Sequence, residues 1–549
     1  MQLNHYLFLL SLLACFSSSG QEERSMNYRS PLDIPLVLAA SFGELRPNHF
    51  HMGLDIKTNR QEGYVVRAVE EGYISRIKVE FYGYGKVIYV NHPDGNTSVY
   101  GHCQKFYGKI DEKVKELQST NKSYEIDIFF TPDEFPVKKG ESIAISGNTG
   151  GSTGPHLHLE MRDTETEAAL NPLNFGFIVT DHRSPEISKL LIYALDSNHY
   201  CVPGQEKEYQ VRKQGSKYIV ESGVIELNRS FIPEKGGIGY AVEVIDRFDM
   251  ANNSCGIYEA LSTVNNKDHF HYTIDRIPFD ETRMVNELKD HAAFQRSGDH
   301  FQKMFRSPSN DLSLYNSNLS GFVAFEQGIK HVEYLTKDHA GNSSKLSFDV
   351  KFMNTGKFLV PPFSNYPGKD HFFKGPGYHL LVNKESLYQP QVISTTIIGE
   401  TISFGDRYQG IEQPIHLEFI NVPDTNTYVE VTTYQGKKNQ FPIHCFSKSC
   451  NAQLYNFGDI SVLKDQYGPR INLISSTNTL TFYVEDKETE IIGFDLYIDG
   501  QWTLVEYEYK NNTLKTVPLT NLKGKKKVRL IVSDLVGNQS VFEKDVTFP

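Results

Sequence analysis

The stretch Gly147-Asn-Thr-Gly-Gly-Ser-Thr-Gly-Pro-His156-Leu-His158-Leu-Glu160 decides how the front of this chain is read. Side chains alternate between the two faces of an extended strand, so His156, His158 and Glu160 project from one face. Upstream stand His51-Met-Gly-Leu-Asp55 and Tyr100-Gly-His102, which add imidazoles and a carboxylate. Nitrogen and oxygen donors of this kind suit zinc, and three protein ligands leave a fourth position for water. The pattern points to a hydrolytic metal site.

The segments around these motifs read as β-structure. Tyr64–Val69, Gly72–Val79, Lys86–Asn91, Thr97–Tyr100 and Ser142–Ser146 are short strand-like runs separated by glycine-marked turns. They predict a compact antiparallel β-sheet domain with the groove lying across one sheet. Between His102 and Val137 the spacing of Ile110–Leu117 predicts a helix, and Tyr124–Phe130 an added strand. That segment is expected to form a groove wall or a lid. The glycines of the 147–154 run leave room for a peptide to approach the backbone. The Gly-Lys-Ser/Thr ending of a phosphate-binding loop is missing, which argues against phosphate.

Taken together, the three motifs resemble the lysostaphin-type zinc endopeptidases, which cut peptide cross-bridges in bacterial cell walls. The resemblance covers roughly residues 36–180, about a quarter of the chain. It implies one zinc ion held by His51, Asp55 and His158, with His102 and His156 as catalytic histidines. One of these two would move the proton and the other steady the oxyanion; the spacing does not choose between them. The implied substrate is the peptide part of peptidoglycan. His49 lacks the H-x-x-x-D spacing and is left outside the ligand set. His92, at an Asn-His-Pro-Asp-Gly turn, reads as structural. Cys103 reads as a small buried hydrophobe. Glu160 either orients a ligand imidazole or ends the strand as a solvated charge.

With 549 residues the chain has room for about three to five domains. Phenylalanine and tyrosine abound (35 and 31) beside a single tryptophan, which favours strands. A formal charge of −11 argues against nucleic acid as a partner. The apolar run Tyr6–Phe16 is too short to span a bilayer, and with Ser17–Gly20 it reads as a secretory signal over residues 1–20. Leu12-Leu-Ala-Cys15 offers an alternative, a lipid anchor on Cys15. Either reading sends the chain out of the cytoplasm, to the periplasm or envelope, with no internal transmembrane segment. Export permits disulfides, and Cys445–Cys450 and Cys201–Cys255 are the pairings suggested by proximity.

A repeat organises the rest. Asp181-x-x-x-Pro185 recurs as Asp465-x-x-x-Pro469, and Asp338-His-Ala-Gly-Asn342 as Asp534-Leu-Val-Gly-Asn538. The first pair looks like an entry to β domains, and the second resembles the last hairpin of immunoglobulin-like modules on secreted bacterial proteins. The expected fold is therefore mainly β: a zinc peptidase domain (36–180, insertion about 104–136), then β-sandwich modules. These are placed at 181–265, 266–354 (with a helix at Phe279–Phe294), 368–455 and 465–549. The modules would either space and support the peptidase, or bind wall glycan or peptide or dock to another envelope protein. The competing function is a non-catalytic protein that binds wall or activates a hydrolase.

Overall fold

The computed structural model describes residues 27–316, 318–359, 365–447, 449–519 and 521–548. The expected signal segment and Cys15 lie outside the described residues. The protein is mainly β. Among the described residues no helix is long and apolar enough to cross a membrane.

Runs such as Lys86-Val-Ile-Tyr-Val-Asn91, rich in β-branched and aromatic residues, pair as strands because both their faces are covered. The main sheet of the N-terminal unit runs Leu38–Ala40, Leu54–Lys57, His156–Asp163, Asn96–Gly101, Lys86–Asn91, Gly72–Val79, Ile126–Phe129, each antiparallel to its neighbour. A three-stranded sheet of Val65–Arg67, Ser142–Ser146 and Cys103–Phe106 packs with it. The central strand, His156–Asp163, sets His158 opposite Asp55 on one side and Gly101 on the other. Register alone thus gathers the distant motifs at one end of the sheet.

The insertion forms the helix Lys109–Asn121 and the edge strand Ile126–Phe129, close to the expected elements. Ile110 and Val114 fix the helix to the core. That strand lies four places along the sheet from His156–Asp163.

The second unit is one 11-stranded sheet. The boundary expected after residue 265 falls at the tip of the hairpin Glu259–Val264/Lys267–Thr273, so the spans 181–265 and 266–354 share this sheet. The hydrophobic core is also continuous from Tyr28 to Phe352. Arg276–Ile277 extends the peptidase sheet by pairing with Ala169–Leu170. The helix expected over Phe279–Phe294 is broken: a 3-10 turn Phe279–Met284, a short helix Val285–Leu288 and a helix His291–Ser297. Lys289 is extended, and Asp290 restarts the helix by accepting from the Ala293 amide at 2.8 Å.

Two five-stranded sheets follow between His371 and Lys464, with their own core. Cys445 and Cys450 form a disulfide there, while Cys201 and Cys255 are free. Two four-stranded sheets from Arg470 to Phe548 close on a further core. This last unit folds back onto the first. Lys86 Nζ meets Glu506 at 2.8 Å, and Phe81 packs on Phe494 and Tyr507. Lys510 donates to the carbonyls of Asn148 and Gly150 within the glycine-rich run.

Gly150 has φ +68°, and a Cβ there would lie 2.3 Å from the Gly85 amide nitrogen. Gly150→Ala is expected to cost about 1–3 kcal/mol. Equilibrium unfolding checks this; an unchanged midpoint would remove the argument.

Candidate metal centre

Each ligand candidate is aimed by a partner on its far side. The ring of His51 is buried, and its Nδ1 lies 2.7 Å from the Ser41 carbonyl oxygen. A carbonyl can only accept, so that nitrogen carries the proton and Nε2 presents its lone pair. The ring of His158 is turned the other way. Its Nε2 donates to Glu160 at 2.9 Å, which leaves Nδ1 free. The two free nitrogens face each other at 3.2 Å and reach the same carboxylate oxygen of Asp55, at 3.0 and 2.8 Å. The other oxygen of Asp55 accepts from Arg46 at 2.7 Å. One donor atom from each of the three residues falls within a 4.8 Å cluster, which could hold a metal ion. The donor set fits: two unprotonated imidazole nitrogens and one carboxylate oxygen, each oriented by an outer partner.

The charges are consistent with this. Burial pushes the His51 pKa down to about 4, so its imidazole is neutral. For His158 burial also acts downward, but the hydrogen bonds to Asp55 and Glu160 outweigh it and raise the value to about 9. A positive charge is therefore favoured between these nitrogens and Asp55, whether proton or metal. Asp55 itself is held well below the carboxylate range: burial opposes this, and the surrounding histidines prevail.

His156 stands next to this cluster. Its Nδ1 donates to the Gly154 carbonyl at 2.8 Å, and its Nε2 lies 3.4 Å from Asp55. His102 adopts φ +58°, an uncommon backbone for a residue with a Cβ. This kink separates the strands Asn96–Gly101 and Cys103–Phe106 and brings the ring to 4.8 Å from that of His156. The kink is held by the His102 amide on Tyr84 O and by Nδ1 on Thr149 O, at 2.8 and 2.9 Å. Burial, then the neighbouring His158 and His156, lower the His102 pKa to about 3.

The structure thus brings His51, Asp55, His102, His156 and His158 together. His49 is exposed and turns to the Pro47 carbonyl, away from the cluster. His92 is tied to Glu71 O and Ser98 Oγ and is structural. Cys103 is fully buried, its thiol pushed up to about 12 by that burial. Of the two readings of Glu160, orientation holds. It is completely buried, takes the His158 proton, and is held by the Tyr84 hydroxyl and by Arg162 at 2.6 Å.

Sequence reasoning missed Ser41, Arg46, Tyr84 and Arg162. Arg162 had a signal, since it follows Glu160 by two on the same strand face. Ser41 and Tyr84 arrive from loops and Arg46 from the two-residue strand Leu45–Arg46, with no spacing to betray them.

Comparison with known proteins fits this arrangement. The family described as Peptidase family M23 matches residues 49–122, a span that contains His51, Asp55 and His102. The chain carries an M23 peptidase domain. An "Uncharacterized metalloprotease" of Haemophilus influenzae is 32% identical to it over 131 residues, 24% of this chain and 21% of that protein. "DD-carboxypeptidase/endopeptidase Mpg" of Neisseria meningitidis serogroup B is 31% identical over 112 residues, 20% of each. The chain spans about a fifth of the length of these curated relatives. Among solved structures, the catalytic domain of the antimicrobial peptidase lysostaphin from Staphylococcus simulans is 24% identical, covering 26% of this chain and 91% of that one, with a TM-score of 0.20. The M23 match ends before His156 and His158, which the central strand brings back to it.

Proposed function

We propose that this protein is an exported zinc-dependent endopeptidase that hydrolyses peptide cross-links of bacterial peptidoglycan. The observation that carries the reading is the pair of imidazole lone pairs converging with Asp55, beside a third histidine whose free nitrogen faces the same carboxylate. The name of the Neisseria relative, a carboxypeptidase and endopeptidase, supports the reaction class.

His51, Asp55 and His158 would hold the ion. When bound, zinc acidifies water, from a pKa of 15.7 to about 7, and polarises a carbonyl. His156 donates through Nδ1 to the Gly154 carbonyl, which leaves Nε2 to accept a proton from the attacking water and return it to the leaving amine. His102 is kept neutral by burial, and with Nδ1 tied to the Thr149 carbonyl it offers Nε2 as a hydrogen-bond acceptor rather than standing as a cation. Arg46 holds Asp55 so that one oxygen stays directed at the two imidazoles.

Cross-linked muropeptides incubated with the zinc-loaded full chain should yield new amino termini. A chelator should stop this and added zinc restore it. Zinc-loaded protein that releases no termini from any cross-linked muropeptide would refute the proposal.

A further inference from the structure

A second group of metal-type donors lies outside the peptidase site, where the second unit begins. Asp181 precedes the strand Glu186–Leu195, Asp246 follows Gly237–Ile245, and Asp338 follows Gly328–Lys337. Their carboxylates converge within 4.8 Å of one another. All three are buried, Asp246 to 1% exposure and Asp181 to 9%. Neither oxygen of Asp246 has a hydrogen-bond partner, nor has Oδ2 of Asp181. Among the described residues no lysine or arginine forms an ion pair with any of them. Buried carboxylate oxygens without partners are costly, and three gathered together cannot all stay charged unaided.

The repeat supplies an internal control. Asp465, Asp486 and Asp534 hold corresponding places in the last unit: before its first strand, after Leu480–Glu485 and at the end of Gly524–Asp534. Asn538 bridges Asp534 to the Asp465 carbonyl at 2.9 and 3.2 Å, as Asn342 bridges Asp338 to the Asp181 carbonyl at 2.8 and 3.4 Å. There the resemblance stops. In the last unit the Thr489 hydroxyl donates to Asp465 at 2.7 Å, and the amides of Glu488 and Thr489 both donate to Asp486 at 2.9 Å. In the second unit the residue three beyond Asp246 is Asp249, which is turned outward to His182. No hydroxyl replaces Thr489, and Asp181 Oδ2 and both oxygens of Asp246 stay free.

We propose that Asp181, Asp246 and Asp338 bind one calcium ion. The donors are all oxygen, with no sulfur or imidazole, which selects a hard cation. Calcium takes carboxylates in irregular geometry and gives up its water readily. Magnesium demands a near-octahedral shell and keeps several waters, which a buried cluster does not accommodate. The calcium-binding loop reaches the peptidase directly. Asn253 accepts from Lys57 at 2.7 Å, two residues after Asp55, and the Gly256 amide donates to the Ser41 hydroxyl at 3.0 Å. The ion therefore braces the second unit against the segment that aims His51.

The test uses the full-length protein, dialysed free of calcium in buffer with micromolar zinc chloride. Calorimetric titration with calcium chloride should show one site per chain, and thermal unfolding should move upward as it fills. Asp246→Asn should lower calcium affinity at least tenfold and abolish the thermal shift, while Asp486→Asn keeps both. In calcium-free buffer Asp246→Asn should melt above the parent, because it relieves crowding of like charge. If Asp246→Asn does not fold, Asp181→Asn reads the same loss. His158→Ala should retain the calcium response, which separates this site from the peptidase centre. No saturable binding at millimolar calcium, undiminished binding in the aspartate variants, or an equal response to magnesium would overturn the proposal.

Discussion

His158→Ala should yield a folded protein with no stoichiometric zinc and no detectable peptidase activity, whereas His156→Ala should keep the zinc and lose about 10²–10⁴-fold in kcat. The contrast follows from where the free nitrogens point. His158 contributes Nδ1 to the centre of the cluster, and nothing nearby replaces it. His156 reaches Asp55 only at 3.4 Å, from a ring fixed by the Gly154 carbonyl outside the cluster. Metal analysis of the two purified variants, beside single-turnover assays, gives the answer. Stoichiometric zinc in His158→Ala, or its loss from His156→Ala, would mean that the roles are misassigned.

The second large effect is on stability. Glu160→Ala should destabilise the fold by about 3–5 kcal/mol, because it strands a buried cation. Arg162 is nearly inaccessible, and its guanidinium is matched to Glu160 through both Nε and a terminal nitrogen, at 2.7 and 2.6 Å. Burial works against a charged Glu160, yet Arg162 and His158 hold its pKa down to about 2, so the pair is ionised in the native protein. The same substitution frees the His158 ring, for which a loss of about 10–100-fold in metal affinity is expected. The double change Glu160→Leu with Arg162→Leu should recover much of the stability but not the metal affinity. Denaturant unfolding with and without zinc separates the two losses; equal stability of Glu160→Ala and parent would show that the pair is not the brace described.

The candidate metal centre was legible in the sequence because its determinants are short-range. His156, His158 and Glu160 share a face by strand alternation, and His51 and Asp55 are four residues apart. The partners that aim them were not legible. Ser41 acts through a backbone carbonyl, which any residue offers, and Arg46 reaches Asp55 from the two-residue strand Leu45–Arg46. The turn at His102 needs a positive φ that histidine does not advertise. Likewise, Asn265-Asn266 could be a linker or a tight turn. Both residues have φ near the left-handed region (49° and 61°), so the chain reverses there and the sheet continues. The repeat read Asp181 and Asp465 as domain entries and Asp338 and Asp534 as hairpin turns, but could not show which set lacks hydrogen-bond donors; that depends on Thr489.

The hold of Lys510 on the glycine-rich run has a consequence in time. The two are 360 residues apart in the chain. Ribosomes add about 5–20 residues per second, so roughly 20–70 s separate synthesis of that run from synthesis of the lysine that grips it. All five residues of the cluster are made by residue 158, near the start of this interval. The cluster is thus synthesised before the contact that grips the glycine-rich run, and the turn Tyr509–Asn511 sets the moment at which the rim closes.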